Sequence, residues 1–243
     1  MIDQQIDIPT KDGKTTTFIS HPERGGPFPV ILFYMDAPGI REELRDMARR
    51  LATSGYYVML PNMYYRAGAM ELGPINPDPE SPERKRMFEL MHSLTIPLVM
   101  EDTKALLAYA GTQKAANTGI VGTVGYCMSG RYAVNAATHF PAVKAAASMY
   151  GVSLATDQPD SPHLAAQKTR AELYFGCAET DVYAPMEVIE KVKAGMTGSN
   201  NEVEIYPGTH HGFAFPKRPV YHRDAAEWHW ERLLALYRRN LSA

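Results

Sequence analysis

The sequence predicts an α/β protein, a three-layer sandwich in which helices flank a mostly parallel central sheet. Two observations predict it. Short apolar runs rich in β-branched residues alternate along the chain with stretches of helical period. Several runs, such as Val30–Met35 and Tyr56–Leu60, are apolar throughout rather than alternating, as in strands covered on both faces. A chain of 243 residues fits one large domain or at most two small ones. No linker, repeat or low-complexity tract divides it, so one domain over residues 1–243 is expected.

Ile2–Ile8 and Lys14–Ser20 read as two strands joined at Asp12-Gly13, a hairpin signal. After a loop from Pro22 to Pro29, Val30–Met35 forms a buried strand ended by Asp36-Ala37-Pro38-Gly39. Arg41–Ser54 follows as a helix with an apolar stripe of Leu44, Met47, Ala48 and Leu51, and Gly55 suits the position past its end. Tyr56–Leu60 is the next strand, stopped by Pro61. The stretch from Pro61 to Pro97 is irregular, with prolines also at Pro74, Pro77, Pro79 and Pro82, and a polar helix is expected over Glu83–Ser93. Excursions of this length often cover a site. Val99–Ala110 reads as a helix, Thr118–Tyr126 as a strand, and Arg131 to Phe140 contains no helix breaker. Val143–Tyr150 and Ala171–Phe175 are strands, Met186–Ala194 a helix, Glu202–Tyr206 a strand and Pro207–Phe213 a loop. Asp224–Asn240 closes the chain as a helix with Trp230, Leu233, Leu234 and Tyr237 on its apolar side.

Composition narrows the function. A formal charge of −2 gives no strong field for nucleic acid or an anionic membrane, so neither is expected as a partner. Two cysteines make no disulfide framework. Met1–Asp7 is acidic and lacks the apolar core of a signal peptide, and no run approaches the ~20 apolar residues of a membrane span. A cytoplasmic protein is the expectation.

The chemistry concentrates in Gly125-Tyr126-Cys127-Met128-Ser129-Gly130. A strand, a sharp turn and a helix are written in succession, with small residues two before and two after the cysteine. That is the spacing of a nucleophile elbow, with a thiol in place of the usual serine. A helix starting just beyond would favour the thiolate. A buried structural cysteine beside a tight turn fits the same stretch, and the stretch alone leaves both readings open.

Cys127, Asp181 and His211 all fall on loops that follow strands. Their order, nucleophile then acid then histidine, is that of α/β-hydrolases. His211 would take the thiol proton and return it to the leaving group, while Asp181 would fix the imidazole tautomer. Asp181 could instead cap the helix near Pro185, Glu179 is an alternative acid, and His210 is a rival base. No CxxC or HExxH spacing accompanies these residues, so no metal is expected.

These motifs resemble the dienelactone hydrolase (carboxymethylenebutenolidase) family of the α/β-hydrolase fold. The resemblance rests on Gly125–Gly130, Gly176…Asp181 and Tyr206…His211-Gly212-Phe213, with support through Asp36–Tyr65. It implies hydrolysis of a small-molecule carboxylic ester or lactone through an acyl-thiol intermediate, without a cofactor, and it selects His211 over His210. It also implies an oxyanion hole of the Met128 and Ala37 backbone N–H groups. Asp36 stands where the family commonly has a glutamate that contacts the resting thiol. Of two arginines that hold a substrate carboxylate in well-known members, Arg86 matches one and Phe215 occupies the place of the other, leaving Lys217 or Arg218 as replacements. A different function on the same fold is a non-hydrolytic thiol-based redox sensor, with Cys177 as a second thiol, or a small-molecule binding protein.

Overall fold

The computed structural model describes residues 1–76, 78–196 and 200–242; Pro77 lies outside them. Strands and helices alternate, and the chain divides into two compact units, Met1–Thr118 and Gly119–Ala243. Among the described residues no helix is long and apolar enough to cross a membrane.

In the first unit the strand order is β1-β2-β4-β3. β1 (Ile2–Thr10) and β2 (Gly13–His21) form the expected antiparallel hairpin, with β2 antiparallel to β4 (Tyr57–Pro61) and β3 (Phe28–Tyr34) parallel to it. The β3 and β4 interiors are buried on both faces, as their unbroken apolar runs require. α1 (Glu42–Thr53) buries Leu44, Met47, Ala48 and Leu51. The irregular segment holds α2 (Pro82–His92), whose cap residue Ser81 accepts a hydrogen bond from the Arg84 N–H. α3 (Ile96–Ala110) starts three residues before the expected Val99. Pro97 opens this helix rather than blocking it, because a first-turn residue needs no N–H partner. Thr95 caps it by accepting from the Leu98 N–H.

The second unit has the order β5-β6-β7-β8, with all its pairings parallel. β5 (Ala116–Tyr126) leads through a 3₁₀ turn into α4 (Gly130–His139), followed by β6 (Val143–Met149), β7 (Glu172–Thr180), α5 (Met186–Gly195), β8 (Glu202–His210) and α6 (Arg223–Asn240). β7 and β8 run longer than their apolar runs suggest. β8 continues through Pro207 because it is the last strand in the order, where a missing donor costs no ladder bond. α6 buries Ala226, His229, Trp230, Leu233, Leu236 and Tyr237; Leu236 takes the place expected for Leu234. The Tyr237 hydroxyl donates to the Thr123 carbonyl at 2.9 Å, fastening α6 to β5.

α4 approaches β6 closely enough that a Cβ on Gly130 would lie 2.2 Å from Ser148 Oγ and 2.8 Å from Gly151 Cα. Gly130→Ala is therefore expected to cost about 1–3 kcal/mol of stability by overpacking. The buried Ser148 hydroxyl has no hydrogen-bond partner among the described residues, so Ser148→Ala should be neutral or stabilising. Urea denaturation of the two variants checks both signs.

Candidate active site

The second unit is aligned so that its strands deliver side chains to one end. Tyr126 pairs with Met149, and Met149 with Gly176. Cys127 and Tyr150 therefore leave β5 and β6 at the same level. Thr180 pairs with His210 beyond an irregularity in the β7–β8 ladder. The next residue on each strand, Asp181 and His211, thus emerges beside the other.

Cys127 sits at φ +56°, between the extended Tyr126 (φ −110°, ψ 143°) and the helical Gly130 (φ −53°, ψ −41°). A side chain in the left-handed region is held there only by its surroundings. Gly125 supplies part of them: a Cβ there would lie 2.1 Å from the Ser129 carbonyl oxygen. The small residues that mark the elbow in the sequence are thus steric requirements of the turn. The thiol is half-buried, and Met128, the next residue, is buried within the turn.

His211 Nδ1 lies 2.7 Å from Asp181 Oδ2, whose side chain is 1% exposed. A carboxylate can only accept, so Nδ1 carries a proton. Nε2 is buried and makes no hydrogen bond of ordinary geometry among the described residues, yet Cys127 lies near enough to act on the ring. Burial would drive a proton off the ring. The charge of the Cys127 sulfur and the bond to Asp181 outweigh this and push the imidazole pKa up to about 10. Gly212, at φ +92°, turns the chain just after the histidine.

Two tyrosines grip the imidazole. The Tyr150 and Tyr183 rings meet it edge-on, with centroids 5.2 and 4.9 Å away. Tyr150 holds φ +36° at the end of β6, with its N–H donating to the Gly176 carbonyl at 2.6 Å. The Tyr183 N–H donates to Asp181 Oδ1 at 2.9 Å. Asp181 is therefore tied to His211 and to its own loop, and Pro185 stands at the start of α5 in its stead. Neither tyrosine was visible as a site residue in the sequence, except that Tyr183 lies two residues past the acid.

The alternatives lie elsewhere. Glu179 is exposed and accepts from the Gly208 N–H at 2.9 Å. His210 is exposed. Cys177 is buried, and its thiol is pushed up to about 12 by that burial, with the charge of Asp181 adding to the effect. Phe215 is fully buried, packed on Tyr126 and Tyr150 with the Arg218 guanidinium 5.1 Å from its ring centre.

Asp36, Ala37 and Arg86 belong to the first unit. Asp36 is fully buried, and its two oxygens take the Arg41 guanidinium at 2.6 and 3.2 Å. The Ala37 carbonyl accepts from the Tyr64 hydroxyl at 2.9 Å. This turn needs Gly39, at φ +86°, because a Cβ there would lie 2.0 Å from the Met70 carbonyl oxygen. Arg86 is exposed on α2 and pairs with Glu89 at 3.3 Å. Among the described residues no cluster of three or more His, Cys, Asp or Glu is placed to hold a metal ion.

A group with a pKa raised from its usual 6.5 toward 10 stays protonated across the neutral range and loses its proton only as pH rises through the upper value. The His211 ring signals in an NMR titration should therefore remain those of imidazolium past pH 8. Cys127→Ala removes the largest favourable influence and should lower the midpoint by at least about one unit; an unchanged midpoint would refute the coupling.

A family model described as "Dienelactone hydrolase family" matches residues 15–241. A protein of Methylorubrum extorquens named "Putative carboxymethylenebutenolidase" is 29% identical, over 98% of this chain and 81% of its own length. One of the same name from Synechocystis is also 29% identical, over 97% and 96%. The crystal structure of a Klebsiella pneumoniae protein titled a putative dienelactone hydrolase is similar with a TM-score of 0.86 at 23% identity, covering 98% of each chain. A dienelactone hydrolase-like promiscuous phosphotriesterase from metagenomic libraries gives 0.80 at 16% identity, covering 99% of each. The structural likenesses show the α/β-hydrolase fold.

Proposed function

The chain belongs to the dienelactone hydrolase family and is a hydrolase of the carboxylic ester or lactone type; on that premise we propose that Cys127 is its nucleophile and that the reaction passes through an acyl-thiol intermediate. The observation that carries this reading is His211, bonded through Nδ1 to a buried carboxylate while its proton affinity is raised by the sulfur of Cys127.

His211 takes the Cys127 thiol proton onto Nε2 and leaves Cys127 as the nucleophilic thiolate. Its sulfur attacks the ester carbonyl carbon, forming a C–S bond as the carbonyl π pair moves onto oxygen. The Met128 N–H is the donor that the elbow offers to this oxyanion. Such donors act on charge that develops only in the transition state. As the intermediate collapses, the C–O bond breaks and His211 gives its Nε2 proton to the departing alkoxide. Neutral His211 then takes a proton from water, and the hydroxide attacks the thioester. The carboxylic acid leaves, and the thiolate and imidazolium return. Asp181 holds the ring through Nδ1 in both halves of the cycle. No step calls for a cofactor.

A redox pair of Cys127 with Cys177 finds no support in the site, because the buried Cys177 thiol keeps its proton at neutral pH.

Replacing Cys127 by alanine should abolish hydrolysis of small activated esters and lactones while the circular dichroism spectrum stays unchanged. Asp181→Asn should slow turnover by at least about 100-fold. Intact-protein mass spectrometry during turnover should show a transient acyl adduct on Cys127; turnover that survives in the alanine variant would overturn the mechanism.

A further inference from the structure

The loop that carries Asp181 does more than present the acid. Its first two residues past Asp181 are Val182, 82% exposed, and Tyr183, 43% exposed; Met186, 43% exposed, lies three residues on. Between them Ala184 is buried and anchors the loop. Large apolar side chains scattered singly on a surface need no explanation, but an apolar group pressed against a functional histidine does. The Tyr183 ring is such a group, with its centroid 4.9 Å from that of His211. Its backbone is fixed by Asp181, the carboxylate that orients the imidazole.

The chemistry says which part of a substrate meets this wall. His211 must place Nε2 at the ester oxygen that leaves, so the carbons attached to that oxygen lie within reach of whatever flanks the ring. We propose that Tyr183, with Val182, forms the wall that receives the alcohol portion of the substrate, and that the enzyme selects esters of uncharged, apolar alcohols, aryl or alkyl. This rests on the reading of Cys127 and His211 above and adds the identity of the group that leaves.

The charges on the loop point the same way. Glu179 is exposed before Asp181, and Glu187 is exposed after it with Lys191 as its partner at 3.0 Å. An alcohol bearing a carboxylate would approach Glu179, two residues before Asp181, while Lys191 balances the charge of Glu187. Arg218, seven residues past His211, has its guanidinium over the face of Phe215.

Acetate esters that differ only in the alcohol provide the test. All pass through one acetyl-enzyme, so differences in kcat/KM report the alcohol alone. For the wild type, kcat/KM is expected to rise up to about fourfold per methylene from methyl to butyl acetate and to be high for benzyl acetate. It should fall at least about fivefold when the benzyl ring carries a carboxylate. Tyr183→Ala should cut the benzyl-to-methyl ratio by about tenfold, and Val182→Ser should cut the butyl-to-methyl ratio. A variant that slows every ester by the same factor would overturn the wall, since that is what a disturbed His211 alone would do. A wild-type preference for the anionic ester would overturn it as well and pass the role to Arg218. The acetyl adduct on Cys127 separates the two levels: if it forms and the alcohol makes no difference, only this inference fails, whereas hydrolysis without any adduct removes both.

Discussion

The geometry of the site hangs on one backbone torsion, the φ of +56° at Cys127. A non-glycine residue in that region costs about 1–2 kcal/mol, so the chain on either side has to hold it there. Gly125 lets the Ser129 carbonyl close over the end of β5, and Gly130 lets α4 press against β6. The strand side is fastened as well: the Tyr126 hydroxyl lies 2.9 Å from Nε2 of the buried His229 on α6. The turn is thus locked from the helix, from the neighbouring strand and from below. The thiol is the side chain left at the open end.

The second constraint is electrostatic and follows from strand direction. Parallel β7 and β8 end side by side, so a carboxylate and an imidazole that are 30 residues apart in sequence become neighbours without a designed loop. Burial of the pair makes each contribution large. Desolvation disfavours the imidazolium, yet the neighbouring Cys127 and the bond to Asp181 raise its proton affinity above the usual histidine value. The same surroundings act in the opposite sense on Cys177, which is buried without a cationic partner strong enough to draw off its proton.

Much of this was legible from the residues. The elbow could be read because its glycines answer to local sterics, and the α1 stripe because burial of Leu44, Met47, Ala48 and Leu51 follows helical period. Three features could not. Pro97 lies in the first turn of α3, a place where proline is tolerated, and sequence alone does not say on which side of a proline a helix begins. The extension of β8 past Pro207 is set by pairing with β7, a contact distant in sequence that overrides local punctuation. Tyr150 and Tyr183 reach His211 through space, and no spacing rule connects them to it. Asp36 in the first unit is read as thiol-contacting through the family resemblance alone, and its carboxylate takes the Arg41 guanidinium five residues along the chain.

Pro207 has a consequence outside catalysis. β8 closes the strand order of its unit, and the outer side of such a strand is a row of donors and acceptors on which another unfolded or partly folded chain can grow. A proline in the middle of that row removes a donor, and the left-handed Gly208 that follows it, at φ +70°, bends the strand away from a flat template. The residues that lead the chain to His211 thus also make this margin a poor seed for intermolecular sheet growth, and the protein guards itself against aggregation with the same few residues that deliver its imidazole.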